Sequence, residues 1–566
     1  MKIKHLFGLA VIAAMTASCS SNEDLGTAGP GTGTNESGVG YATFTINLPT
    51  TSGTRAGDPT FEAGDPKEYD VNDATLLIFK EAGSSENDYT FVESVNLGSM
   101  APWKDPSETG VTTHAKITAK LNKINTTDKF YALVLLNNGT ESSKKVDLPD
   151  DNQTFSAWNE AKVTDKIANT DAGFYMANAP LYKANKVTTL VPIESTKIYP
   201  TEAQAASNPS TDIYVERGLA KVTVTSASKA TKTIADGTYK DDKVTIQNWG
   251  LDVTNKKSFP VHKTDGTGYD DIWSNTATPS GTNNATTLRF VDNNTTTVAK
   301  RVYWGVDPNY NIAKLNAETT AGKKERTDNF NYVGKDKLTA TTSDAQYCLE
   351  NTFNLDNMMQ GQTTRVVFKA KYVPKGFTEG ATFYMVGKNT AIWTEDNLKD
   401  EIVAAVTKVV PSATTANTTV DLANTENDIT KAGNHLLALS NISVTGVTLD
   451  QTNIDAINTK LGLKDGEGIS TYQDAEAYYI ARVKHFGVLT PWKAGQSYGT
   501  DNLSFLGRYG VLRNNWYELT VDKVSGPGYP DVPEVKPNVP DDENFKYLSV
   551  SVKILSWAKW SHSYDL

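Results

Sequence analysis

Tyr41-Ala42-Thr43-Phe44-Thr45-Ile46-Asn47-Leu48 alternates without a break. Ala42, Phe44, Ile46 and Leu48 share one face, and Thr43, Thr45 and Asn47 the other, which is the period of a half-buried strand. Pro49 ends it. Segments of this kind recur along the chain between turn signals, at 74–79, 90–97, 174–176, 213–215 and 220–224. A second series follows at 244–246, 249–253, 301–304, 364–370, 382–386, 477–483 and 516–521. The run 130–136, closed by Asn137-Asn138-Gly139, is apolar on both faces and suits a central strand. Helical patterns are few: 156–164, 454–461 and, weakly, 394–409. Many short strands with Greek-key-like spacing predict an all-β chain built as β-sandwiches.

The chain has 566 residues, enough for about two to four domains at roughly 100–200 residues each. With 38% hydrophobic residues it builds true cores, which excludes disorder throughout. A net charge of −11 with no basic block argues against nucleic acid as a partner, because phosphate binding needs clustered Lys and Arg. Two cysteines, Cys19 and Cys348, make neither a disulfide framework nor a four-cysteine zinc site. The aperiodic stretch 226–242 separates the two β series.

The first nineteen residues read as an address. A basic start, Met1 to His5, leads into ten apolar residues from Leu6 to Met15, too few to span a bilayer. Thr16-Ala17-Ser18-Cys19 then resembles a lipobox, in which the Cys19 thiol carries lipid and becomes the first mature residue. The bland alternative is an ordinary secretory signal with an incidental cysteine. The acidic cluster at 20–24 resembles the surface-export signal of Bacteroidetes lipoproteins. Residues 25–40 are Gly/Thr/Ser-rich and read as a flexible tether. Between Lys4 and Lys67 the only Lys or Arg is Arg55, in a small-residue loop just past the first strand. An arginine- or lysine-specific protease therefore has one site there. Taken alone, a lone loop arginine is usually a solvated side chain.

The other end is unusual too. Residues 525–543 carry Pro527, Pro530, Pro533, Pro537 and Pro540, the composition of a semi-rigid extended spacer. Beyond it, Leu548, Val550, Val552 and Ile554 share one face of a second amphipathic strand. Left bare, such a strip is an aggregation hazard. The pattern leaves open whether it folds back as an ordinary last strand or adds to another subunit's sheet.

Chemistry-bearing motifs are missing. There is no Walker loop, no G-x-G-x-x-G opening a helix, no H-E-x-x-H and no G-x-S-x-G elbow. The six histidines lack ligand spacing, so no metal and no cofactor are expected. Cys348 reads as a small buried thiol. Asp307 and Glu350 form a nominal glycosidase pair of almost no weight among 66 acidic residues. A rival to a structural role is a monomeric surface lipoprotein that binds glycans on an aromatic platform recruited from Trp249, Trp273, Trp304 and Trp393.

Several segments together resemble the Bacteroidales fimbrillins, subunits of type V pili, and most of all the minor-fimbrium stalk subfamily. They are Val215-Glu216-Arg217-Gly218-Leu219-Ala220-Lys221-Val222, Arg301-Val302-Tyr303-Trp304 with Asp307-Pro308-Asn309-Tyr310, and Tyr347-Cys348-Leu349-Glu350-Asn351-Thr352. To these are added residues 507–517, 548–557 and 563–566. The loops within 259–294 and around 412–427 match nothing in that family. The resemblance implies a non-enzymatic shaft pilin with two transthyretin-like Greek-key β-sandwich domains and a tethered C-terminal strand. On that reading 1–19 is the signal peptide, 20–55 a removable propeptide, 56–230 and 231–524 the two domains, and 525–566 the linker and donor strand. It implies an outer-membrane lipoprotein precursor cut between Arg55 and Ala56 by an arginine-specific protease. The first strand, Ala42 to Leu48, is then displaced, and the C-terminal strand of a neighbour fills the groove. The partners implied are copies of itself, anchor and tip subunits, and the protease, in an adhesive fimbrium at the cell surface.

Overall fold

The computed structural model describes residues 31–47, 66–68, 70–98, 114–140, 142–183, 186–264, 300–302, 304–310, 312–353, 355–485, 506–541 and 548–556. Within them the chain is predominantly β, as its composition predicts.

The first half forms an eight-stranded sheet. Its strands are β1 Gly40–Asn47, β2 Ala74–Lys80, β3 Thr90–Gly98, β4 His114–Leu121, β5 Phe130–Leu136, β6 Met176–Asn178, β7 Val191–Ile193 and β8 Thr211–Arg217. Their order is β3-β2-β5-β6-β8-β1-β4, with β7 also on β5. The apolar run in β5 is central, as expected, between β2, β6 and β7. β2 beside it buries Leu76, Leu77, Ile78 and Phe79 in succession, so this part of the sheet is covered on both faces. Helix α1, Phe155–Ala161, is capped by the Thr154 hydroxyl, which accepts from the Ala157 N–H, and lays Phe155 and Trp158 into the same core.

Gly218 is where the chain passes to the second half, eight residues ahead of Ser226. A Cβ there would lie 2.7 Å from Ile167 Cγ2, so the tight passage needs glycine. β9 Leu219–Val224, β10 Lys243–Asp252, β11 Ala345–Leu349, β12 Arg365–Val373, β13 Glu476–Arg482, β14 Asn515–Val524 and β15 Leu548–Ser556 follow. One sheet runs β11-β9-β14-β15, the other β10-β12-β13 with the short strand Lys232–Thr233 on β10. Trp249, Phe368, Tyr479 and Tyr517 fill one hydrophobic core to which both sheets contribute, the packing of a β-sandwich. Helix α2, Thr320–Asn329, lies outside these sheets.

Between the antiparallel neighbours β12 and β13 the chain inserts a module with its own core. Its helices are α3 Glu395–Val409 and α4 Gln451–Lys460, so both of the weaker helical patterns fold as helices. Leu398, Ile402, Ala405 and Val406 sit on one face of α3 and meet Ile454 and Ile457 of α4 in that core. The loop around 412–427, without counterpart in the resemblance, belongs to this module, where Thr418–Val420 pairs with Ile442–Val444.

The two halves are joined by buried charge. Lys221 Nζ of β9 lies 2.7 Å from Glu68 Oε1, and Tyr347 of β11 donates to the same carboxylate. Arg217, at the end of β8, donates to the Glu68 carbonyl and to Asn514 Oδ1. A second cluster holds Glu350 against Arg513 (2.9 Å), with His262 3.1 Å from Glu216. Charges this deep persist only when paired.

The proline-rich segment is not a free spacer. Proline has no N–H to offer a ladder, but the segment's carbonyls accept. Tyr479 and Tyr472 donate to the carbonyls of Gly526 and Gly528 at 2.8 and 3.0 Å, and Arg365 donates to that of Pro533 at 2.7 Å. Arg482 donates to the Asp541 carbonyl at 3.0 Å, and Thr363 to the Asp541 carboxylate at 2.8 Å. Composition alone cannot reveal these donors, which come from β12, β13 and their neighbours. The segment is a strap fastened along the second half as far as Asp541.

Candidate functional site

Two strands carry the candidate site, and the structure places them differently. β1 lies inside the first sheet. It runs parallel to β8, Phe44 against Thr211 and Ile46 against Ile213, and antiparallel to β4, Phe44 against Ile117 and Ile46 against Ala115. Ala42, Phe44 and Ile46 are all 0% exposed, as their alternation predicts. The opposite face is partly covered. Thr43 is buried and shares a 2.8 Å hydroxyl contact with Thr118, and Thr45 one of 2.5 Å with Ser210. At the head of the strand, a Cβ on Gly40 would lie 2.7 Å from both Ile124 and Ile198.

Among the described residues β4 has β1 as its one neighbour in the sheet. Withdrawing β1 would therefore leave a slot bounded by β4 along eight residues and by the edge of β8 along the four from Thr211 to Tyr214. Sequence reasoning did not single out β4. The signal was present: Ala115, Ile117, Ala119 and Leu121 alternate with Lys116, Thr118 and Lys120.

β15 is an edge strand. It pairs on one side with β14 of its own chain, placing Val550 opposite Val521, Val552 opposite Leu519 and Ile554 opposite Tyr517. Leu548 stands opposite Val524, beyond an irregularity between Val521 and Lys523. Val550 and Val552 are only half-buried against the second core. Of the alternatives the sequence left open, the chain by itself adopts the folded-back one.

Cys19, Leu48, Arg55 and Ala56 lie outside the described residues. Thirteen residues beyond Arg55, Glu68 is locked into the junction of the halves.

The aromatic platform does not assemble. Trp249 and Trp304 are fully buried, Trp249 donating to the Thr341 carbonyl at 2.8 Å. Trp393 packs against the core of the inserted module, and Trp273 lies outside the described residues. Asp307 and Glu350 are structural. Burial pushes the Asp307 carboxyl up to about 8 against N–H donors from Asn309 and Thr352, while Glu350 holds Arg513. Cys348 is buried, and burial pushes its thiol up to about 12. Among the described residues no group of His, Cys, Asp and Glu is arranged to hold a metal ion. No helix among them is long and apolar enough to cross a membrane.

Residues 470–563 match the family model described as "Major fimbrial subunit protein type IV, Fimbrillin, C-terminal". The match includes β13, β14 and β15 and bears out the resemblance to the fimbrillins. That family is one of structural subunits rather than enzymes. No curated protein matches the chain. Among solved structures, the chain is similar to a protein of Bacteroides eggerthii provisionally named for cell adhesion, at 12% identity and a TM-score of 0.35, over 94% of this chain and 98% of that one. It is similar to a fimbrial assembly protein of Parabacteroides distasonis at 11% identity and a TM-score of 0.25, over 59% and 85% of the two chains. It is also similar to the tip fimbrial protein Mfa3 of Porphyromonas gingivalis, in a C-terminally truncated form, at 10% identity and a TM-score of 0.27, over 91% and 100%.

Proposed function

We propose that this chain is a shaft subunit of an adhesive cell-surface fimbrium and polymerises by exchanging strands. A fimbrial structural role is what the matched family supplies. In the proposed cycle the precursor is exported, lipidated at Cys19, and cut after Arg55 by an arginine-specific protease. Loss of residues 20–55 withdraws Ala42, Phe44, Ile46 and Leu48. The C-terminal strand of another copy, with Leu548, Val550, Val552 and Ile554, takes their place. Anchor and tip subunits would end the polymer.

The observation that carries this reading is the contrast between the two strand positions. Among the described residues the β1 position is interior, with a ladder of eight residue pairs to β4 and of four to β8, whereas β15 has one ladder at home. The strands are eight and nine residues long and share a two-residue apolar period. A strand moving from edge to slot trades one ladder for two. It would also bury the valines that are half-covered at home, gaining part of the roughly 1.5–3 kcal/mol that burying a fully exposed side chain is worth. That difference gives the exchange its direction. The strap ends at Asp541, so residues 542–547 form the leash, about 20 Å at full extension.

The test is a variant lacking residues 546–566. It should fold, accept the cut after Arg55 and remain monomeric; polymers from it would put the donor elsewhere in the chain.

A further inference from the structure

A cleft of about 550 Å³ opens where the two halves meet, on a face that plays no part in strand exchange. One wall is the 145–147 turn and the segment 161–166 that follows α1; the other is Lys256, Lys257 and Asp328 of α2. The walls are bridged by reciprocal backbone hydrogen bonds between Thr164 and Ser258, at 3.0 and 2.9 Å.

Five lysines line it, Lys145, Lys162, Lys166, Lys256 and Lys257, in a chain of net charge −11. They come from three separated stretches, which is why no basic block is visible in the sequence. Three carboxylates share the cleft, but Asp328 is taken by Lys324 at 2.5 Å and Asp147 lies 4.0 Å from Lys162. Lys256 and Lys257 also lie near Asp328, and Lys145 feels Asp73 and Asp171, yet the five lining lysines outnumber the three lining carboxylates. Lys145, Lys256 and Lys257 donate to the Gly173 carbonyl, the Thr327 carbonyl and Asn329 Oδ1, at 2.5, 2.5 and 3.2 Å. An ammonium has three donors, so each keeps N–H groups for a further acceptor. Charges of one sign gathered in a cleft focus the field on its mouth.

We propose that this cleft binds an acidic polysaccharide through its sulfate or uronate groups. The lining chooses among polyanions. Among the described residues it holds no arginine, and so no planar fork for bidentate phosphate or carboxylate recognition, only point charges that suit spaced single anions. Among them it also holds no aromatic ring, and so lacks both the stacking platform that single-stranded nucleic acid requires and the aromatic anchors typical of protein partners. A neutral glycan would likewise find nothing to stack on. The proposal stands independently of strand exchange.

The test uses the full chain and fluorescent octasaccharides, titrated by anisotropy at low and at 0.3 M salt. One is a heparin fragment, one an oligogalacturonate, and one a neutral malto-oligosaccharide. Binding of either anionic octasaccharide, lost on adding salt and absent for the neutral one, is expected; which of the two binds distinguishes sulfate from carboxylate. Lys166→Glu with Lys256→Glu should weaken it at least tenfold at an unchanged melting temperature, while the distant Lys399→Glu should not. No binding of either anion overturns the proposal. So does a loss shared equally by the distant variant, or equal cleft-dependent binding of a single-stranded oligonucleotide of matched charge.

Discussion

Lys221 Nζ and Glu68 Oε1 meet at 2.7 Å with both side chains sealed from water, 4% and 0% exposed. The ammonium also lies 3.8 Å from the centre of the Trp516 ring, on β14. One residue lies thirteen positions beyond Arg55, and the other belongs to β9, the first strand of the second half. The pair fixes the remaining chain in place if the first strand is lost, so cleavage need not loosen the joint between the halves.

Breaking such a pair from one side strands the other charge. Lys221→Met should lower stability by about 3–5 kcal/mol. The double variant with Glu68→Gln should recover much of that loss. Urea unfolding of the three proteins checks it; a single variant as stable as wild type would mean that the pair is solvated.

The unequal seating of the two strands predicts unequal costs. Phe44→Ala in β1 should cost about 3–5 kcal/mol, the range for emptying a filled aromatic site. Val552→Ala in the half-covered β15 should cost less, below about 2 kcal/mol. Denaturant midpoints give both numbers, and equal losses would contradict an interior slot and an edge strand.

The Lys145 ammonium is pushed down from 10.5 to about 8 by burial, against the pull of Asp73 and Asp171. The unfolded chain holds this proton up to its ordinary pKa. Between pH 8 and 10.5 the unfolded state therefore carries more protons, and the lysine's contribution to stability rises with pH. Unfolding at pH 7.5 and pH 9.5 should show a smaller gain, or a larger loss, in Lys145→Met than in the parent. Parallel pH curves would remove the effect.

Cys348 should be inert. In protein beginning after Cys19 it is the sole thiol. A disulfide reagent should find almost none in the native state and one per chain in guanidinium. Fast native labelling would mean that the second core opens readily.

The strands were largely legible because alternation is local: β1, β2, β5 and β12 follow from residue order alone. β4 shows the limit: Ala115, Ile117, Ala119 and Leu121 alternate with Lys116, Thr118 and Lys120, but two of its four apolar positions are only alanine. The joint between the halves left no local trace. Glu68 finds Lys221, and Arg217 finds Asn514, across hundreds of positions that only the fold brings together. The strap was misread for the same reason, because its carbonyls meet donors from Arg365 and Tyr479. Tryptophans at 249 and 304 look alike in sequence whether they line a surface or fill a core. The position of β15 depends on β14, which its own alternation cannot specify.

On the proposed cycle, cutting after Arg55 opens a slot that another copy's last strand fills. Limited digestion of residues 20–566 with an arginine-specific protease, read on an unboiled denaturing gel beside Arg55→Ala, tests this directly. A fragment beginning at Ala56 and a ladder of detergent-resistant multimers are expected, and neither for the variant. A clipped species that begins at Ala56 yet runs only as monomer would contradict the cycle.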